Sequence, residues 1–141
     1  MAERVFIDTN ILIYADDDAA GERRDAARHH LTQLIADERA VLSTQVLQEY
    51  FAVATRKLRL APDKARQRVD VFAQLDVVIV RPELILGATD LHRLHALSFW
   101  DALIIASAAA ASCATLLTED LGAGKVIAGV RIENPFASTP A

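Results

Sequence analysis

At 141 residues the chain has the length of one domain and enough of it to bury a core, so a single domain over 1–141 is expected. Its hydrophobic share of 52% excludes a disordered chain, and a formal charge of -4 argues against holding nucleic acid by bulk positive charge. The single Cys113, within the apolar run "AAAASCATLL", excludes an internal disulfide and reads as a small buried hydrophobe of a reducing compartment. Charges in "MAERVFID" stand where a signal peptide needs an apolar core, and no apolar run approaches the ~20 residues of a spanning helix, so no membrane association and a cytoplasmic location are expected.

In chain order, short β-rich runs alternate with helical stretches, the pattern of a parallel sheet covered by helices on both faces. "RVFID" reads as the first strand. "DAARHHLTQLIAD" reads as an amphipathic helix and "AVLS" as a second strand. Ser43 can then cap "TQVLQEYFAVATRKL", where Leu47, Phe51, Ala54 and Leu58 recur at helical spacing and are expected to face the core. Pro62 opens "DKARQRVDVFAQL", and "VVIV" follows as an unbroken apolar strand of the kind buried on both faces. Pro82 ends that strand, and a helix runs to about Leu97. "FWDALIIASAAAAS" is a nearly all-apolar helix, "ATLLT" a strand and "VRIEN" an edge strand.

Ligands of open parallel sheets bind beyond the carboxyl ends of the strands, so acids at strand ends and helix starts are the candidates for chemistry. Asp8 ends the first strand, where an Asx turn or helix cap would also explain it. Glu49 lies at the flank of an apolar helical stripe, a place where glutamate is commonly solvated. Asp101 is the only acidic or basic residue besides histidine between Arg93 and Glu119, yet Ser98 and Asp101 also fit the S-x-x-D form of a capping box. In "TEDL" either Glu119 or Asp120 can point inward, and the sequence does not decide between them.

Several carboxylates at one end of a sheet repel unless a divalent cation neutralises them, and oxygen-only ligands suit Mg²⁺, with Mn²⁺ able to substitute. Such a site can bring water and a phosphodiester together, which is nuclease chemistry.

On these residues the sequence resembles the PIN-domain ribonucleases, and among them the VapC-type toxins of bacterial toxin-antitoxin pairs. "FIDTNILIYA", "LSTQVLQEYFAVATRKL", "SFWDALIIASA" and "LLTEDL" look like the four acidic motifs of that family in order, and "GVRIENPF" like its closing segment. The resemblance implies a three-layer α/β/α sandwich around a mostly parallel sheet. It implies Asp8, Glu49, Asp101 and Asp120 as catalytic acids, with Asp8 and Asp101 on the metal, and Glu49 and Asp120 acting through water or a second ion. Thr9, Asn10 and Thr118 would be polar support, and Glu119 is the alternative to Asp120. It further implies an RNA substrate, a homodimer, and a cognate antitoxin whose carboxy-terminal segment covers the acidic groove.

Other features have plainer expectations. "GERRDAARHH" and "TRKLRLAPDKARQR" read as solvated basic helix faces, with phosphate contact as a secondary role. His92 and His95 share a helix face without other soft ligands and read as solvated. Trp100 reads as core packing rather than a base-stacking platform, and Asp16, Asp17 and Asp18 as a solvated acidic turn. Tyr14, Tyr50 and Phe51 lie on apolar faces available for packing between subunits. An aspartyl-phosphate receiver shares the α/β layout, but it needs a phosphoacceptor after a central strand and a lysine after a later one. Here Asp8 follows the first strand and Lys125 lies beyond "TEDLGAG". A PIN-like domain that binds RNA or protein without cleaving is the other alternative.

Overall fold

Strand β1 (Val5–Ile7) is fully buried and stops at Asp8, whose side chain accepts the Thr9 amide and so caps helix α1 (Thr9–Ala15). The computed structural model describes residues 2–136 and continues with α2 (Glu22–Ala36), β2 (Ala40–Ser43) and α3 (Thr44–Arg56). The strand-to-helix switch is repeated at Ser43, whose hydroxyl accepts the Val46 amide at 3.4 Å. Prolines at the first helical position open α4 (Pro62–Ala73) and α5 (Pro82–His95), which flank β3 (Asp76–Val78). Ser98 caps α6 (Phe99–Ala110), followed by β4 (Thr115–Leu117), β5 (Val126–Ile127) and β6 (Val130–Glu133).

The six strands form one sheet in the order β3-β2-β1-β4-β6-β5, parallel except for β5. The chain builds outward from β1 to β2 and β3, returns through α5 and α6, and resumes beside β1 with β4. Right-handed crossovers place α1 to α4 on one face of the sheet and α5 and α6 on the other, a three-layer α/β/α sandwich. The reversal falls between β1 and β4, where Val5 pairs with Thr115 and Ile7 with Leu117. A crevice opens at the carboxyl ends of strands where the strand order reverses.

Alpha6 lies against the sheet with Ala102 through Ala108 buried, which its apolar sequence requires. Alpha5 packs outside α6 through Ala88 and leaves Leu86 and Leu94 exposed. Cys113 is buried, and desolvation pushes its thiol up to about 11, so it is held as the inert thiol.

Three expectations are corrected. "VVIV" is not a strand buried on both faces: β3 is a sheet edge, only half-buried, and Ile79 beyond it is exposed. "VRIEN" is not the edge, because β5 pairs antiparallel to β6 and covers it through Ile127 and Val130. The buried stripe of α3 is Val46, Tyr50 and Ala54, while Leu47 and Leu58 are partly exposed and Phe51 faces solvent. Tyr50 can occupy the core because its hydroxyl donates to Asp16 at 2.6 Å.

Candidate active site

Asp8 leaves β1 at the reversal, and its amide still donates to the Leu117 carbonyl of β4 at 3.0 Å. The residue is only 6% exposed. One carboxylate oxygen accepts the Thr9 amide at 2.7 Å, and the other accepts the Thr118 hydroxyl at 2.8 Å. Burial, against the pull of those hydrogen bonds, pushes the Asp8 carboxyl up to about 7, and the neighbouring Glu49 and Asp120 add to the rise.

Beyond β4 the backbone turns so that the Asp120 amide donates back to the Thr118 hydroxyl at 3.0 Å. Asn10, on the first turn of α1, ties this turn down. Its Nδ2 donates to the Thr118 hydroxyl and to the Asp120 carboxylate, both at 3.2 Å, while its Oδ1 accepts the Glu119 amide. Glu119 and Asp120 both line the groove and differ in their partners. Glu119 accepts the Tyr14 hydroxyl at 2.7 Å and is ion-paired with Arg23, whereas Asp120 is the one joined to Asn10 and Thr118.

From the other side, α3 brings Glu49, whose Oε1 accepts the Thr9 hydroxyl at 2.9 Å. Asp101 arrives on the first turn of α6. Its amide donates to the Ser98 hydroxyl at 3.1 Å, but the reciprocal capping bond from its carboxylate is missing among the described residues, so the capping box is half formed. Between these helices Gln45, 4% exposed, donates to the Trp100 carbonyl at 3.2 Å and reaches Glu49 at 3.5 Å.

Asp8, Glu49, Asp101 and Asp120 thus come from four separate segments and line one groove of about 1060 Å³, with Thr9 and Asn10 also in its wall. Thr118 is buried beneath it. Among the described residues no three acidic, histidine or cysteine side chains converge tightly enough to enclose an ion; the acids are spread along an open wall. The donor chemistry fits a hard divalent cation nonetheless. The groove's charged ligands are carboxylates alone, and the Asp101 carboxylate accepts no hydrogen bond among the described residues. His92 and His95 are exposed and outside the groove, as is Lys125, the lysine a phospho-accepting receiver would need there.

A family model described as the PIN domain matches residues 5–127. The chain belongs to the PIN-domain family. Similar solved structures include VapC20 of Mycobacterium tuberculosis, a sarcin-ricin loop cleaving toxin, at 18% identity and TM-score 0.64, covering 79% of this chain and 86% of that one. A toxin-antitoxin complex from Klebsiella pneumoniae superposes at TM-score 0.70 with 20% identity, over 94% of this chain and 98% of that one. DNA-bound VapBC from Salmonella typhimurium gives 0.70 and 20%, over 95% and 99%. At such identities these likenesses speak for the fold. No curated protein matches the chain in sequence.

Within this PIN domain three side chains depart from expectation. Trp100 is not core packing: it is 61% exposed and lines the groove beside Asp101, on the first turn of α6 ahead of the buried run Ala102 through Ala108. Asp16 is not merely a solvated turn residue, since Arg68 donates to both its oxygens, at 2.9 and 3.1 Å, alongside Tyr50. Gln45 escaped notice entirely. Its signal was a glutamine four residues before Glu49, which on a helix shares that acid's face.

Proposed function

We propose that the chain is a Mg²⁺-dependent endoribonuclease, Mn²⁺ substituting, and the toxin of a toxin-antitoxin pair, with residues 1–141 forming one PIN domain. The observation that carries this reading is the convergence of Asp8, Glu49, Asp101 and Asp120 on one groove at the sheet's reversal. Asp8 and Asp101 are assigned as direct metal ligands, with Glu49 and Asp120 acting through water or a second ion. When bound, a divalent cation supplies Lewis-acid stabilisation of the phosphate charge and a more acidic water. The chain's own task is to hold that geometry. Thr118 and the Thr9 amide fix both oxygens of Asp8, Thr9 fixes Glu49, and Asn10 fixes Asp120. The carboxylates would accept the proton released as water attacks phosphorus, the P–O3′ bond breaks, the departing 3′-oxygen takes a proton from solvent, and the products carry a 5′-phosphate and a 3′-hydroxyl.

The toxin assignment draws on the VapBC-type complexes among the similar structures. A cognate antitoxin segment bearing an arginine would match the groove's carboxylates, occupying the place of the cations. A homodimer fits the outer face of α5, where Ile85, Leu86 and Leu94 are exposed. No helix of the described residues is long and apolar enough to cross a membrane, which is compatible with action in the cytoplasm.

The deciding experiment sequences RNA 5′ ends in cells expressing the wild type or Asp101→Asn, both confirmed soluble. New ends at defined positions with the wild type alone are expected and would also identify the substrate. Identical 5′ ends from both proteins, together with no hydrolysis of added RNA in Mn²⁺, would favour a PIN-like domain that binds without cleaving.

A further inference from the structure

The groove has a second end that the acids do not explain. On α3 the residues Glu49, Ala52, Val53 and Arg56 follow the i, i+3, i+4, i+7 spacing of one helix face, and all four line the groove, joined by Lys57 at the helix end. Both cations are exposed and have no carboxylate partner among the described residues. The nearby acids of the same wall are already engaged. Asp16 is held by Arg68, Asp18 by Arg24, and Asp17 accepts the Ala19 amide. A basic residue in the last turn of a helix complements its dipole, but that accounts for the charge and not for its position in this wall.

We infer that Arg56 and Lys57 form a phosphate-binding subsite for the RNA strand, an assignment that rests on the ribonuclease reading above. Arg56 lies two helical turns beyond Glu49, an axial offset of about 10 Å. At ~3.4 Å or more per nucleotide, that offset places the contacted phosphate about two to three nucleotides from the scissile one. Ala52 and Val53 between them are small, leaving room for a sugar-phosphate backbone along the helix. The strand therefore runs along α3, held by cations at one end and cut among carboxylates at the other. In a groove whose other charged residues are acids, these two cations are the positive charge that a polyanionic strand can meet.

The test compares wild type, Arg56→Gln/Lys57→Gln, the charge-preserving Arg56→Lys/Lys57→Arg, and Lys64→Gln/Arg66→Gln, which removes two exposed cations outside this groove. The probe is a fluorescein-labelled single-stranded RNA of 20 mixed-sequence nucleotides, read by anisotropy in EDTA across a salt series. Hydrolysis of bis(4-nitrophenyl) phosphate in Mn²⁺ is measured in parallel. The Arg56→Gln/Lys57→Gln variant is expected to bind RNA at least ~10-fold more weakly and to lose about 1.4 from the salt slope, ~0.7 for each phosphate contact on a single strand. Its hydrolysis of the small diester should be unchanged, and the other two variants should bind RNA as the wild type does.

Equal loss from Lys64→Gln/Arg66→Gln would overturn the subsite in favour of bulk charge. Wild-type affinity and slope in Arg56→Gln/Lys57→Gln, or no RNA binding by the wild type, would overturn it outright and leave the cations to an acidic segment of a protein partner. Failure of the ribonuclease reading is seen separately, as a wild type no more active than Asp101→Asn on the diester.

Discussion

The hydroxyl of Thr118 donates to Asp8 across 110 positions of sequence, at 2.8 Å. It also accepts from Asn10 and from the Asp120 amide, so one buried hydroxyl joins both strands of the reversal to the turn that carries Asp120. Thr118→Val keeps the shape and removes all three bonds. It is expected to weaken Mn²⁺ affinity by about 10–100-fold, the usual cost of deleting a group that orients a metal ligand. Isothermal titration checks this, and Thr118→Ser, which restores the hydroxyl, should recover most of the affinity.

The proton held by Asp8 makes metal-free stability depend on pH. Folded, the carboxyl keeps its proton to about pH 7; unfolded, it loses it near the ordinary value of 3.8. Between those values the unfolded chain binds fewer protons, so this contribution is full below pH 3.8, declines as pH rises, and is gone above 7. Asp8→Asn removes it. The melting temperature of Asp8→Asn relative to wild type in EDTA should therefore climb from pH 5 to pH 8, and a gap independent of pH would refute the account. Mn²⁺ affinity of the wild type should rise about tenfold per pH unit below 7, as the ion displaces that proton.

Trp100 is the only tryptophan and stands next to Asp101 in the groove wall, so its fluorescence reports on the site. Mn²⁺, a paramagnetic quencher, is expected to reduce the emission in a saturable way, and Mg²⁺ to reverse the effect by competition. In Asp101→Asn the saturable phase should vanish. Quenching of equal strength in that variant would mean the ion binds elsewhere.

Gln45 bridges the helices of Glu49 and Asp101, and its Oε1 is buried without a partner. Gln45→Leu gives up the bond to the Trp100 carbonyl but also removes that orphaned oxygen, so a loss of about 1 kcal/mol is expected. Gln45→Glu places a second buried carboxylate beside Glu49 and should cost distinctly more at pH 8 than at pH 5. Urea unfolding at the two pH values separates these cases.

Asp16, Tyr50 and Arg68 tie the end of α1 to α3 and α4. Tyr50→Phe should cost about 1 kcal/mol, since Arg68 still satisfies Asp16. Arg68→Met leaves Asp16 with only the Tyr50 hydroxyl and should cost more, tempered because Arg68 is partly exposed. The double variant should be more destabilised than the sum, because it strips Asp16 of both partners, one of which each single variant retains.

Much of this was legible in sequence because the signals were local. Ser43, Pro62, Pro82 and Ser98 announce their helices by backbone chemistry that needs no partner, and Asp8 marks the end of β1 in the same way. The failures were decided by distant contacts. Alpha3 offers two apolar stripes of similar strength, and the choice of Tyr50 over Phe51 depends on Asp16 waiting for its hydroxyl. "VVIV" has the composition of a central strand, but its place at the edge follows from the chain turning back after it. For Trp100 the apolar helix around it was a poor guide, because the buried run of α6 begins only at Ala102. At "TEDL" the separation of Glu119 from Asp120 required Arg23 and Tyr14, both far upstream.

The return of the chain to β1 also sets a schedule for its synthesis. Asp8, Glu49 and Asp101 leave the ribosome in turn and Thr9 can already engage Glu49, yet Asp8 lacks Thr118 and the wall lacks Asp120 until β4 has slotted in beside β1. A nascent chain shorter than that carries three of the four acids and no assembled groove. The four-acid wall is therefore finished late in synthesis, after residue 120 has joined it.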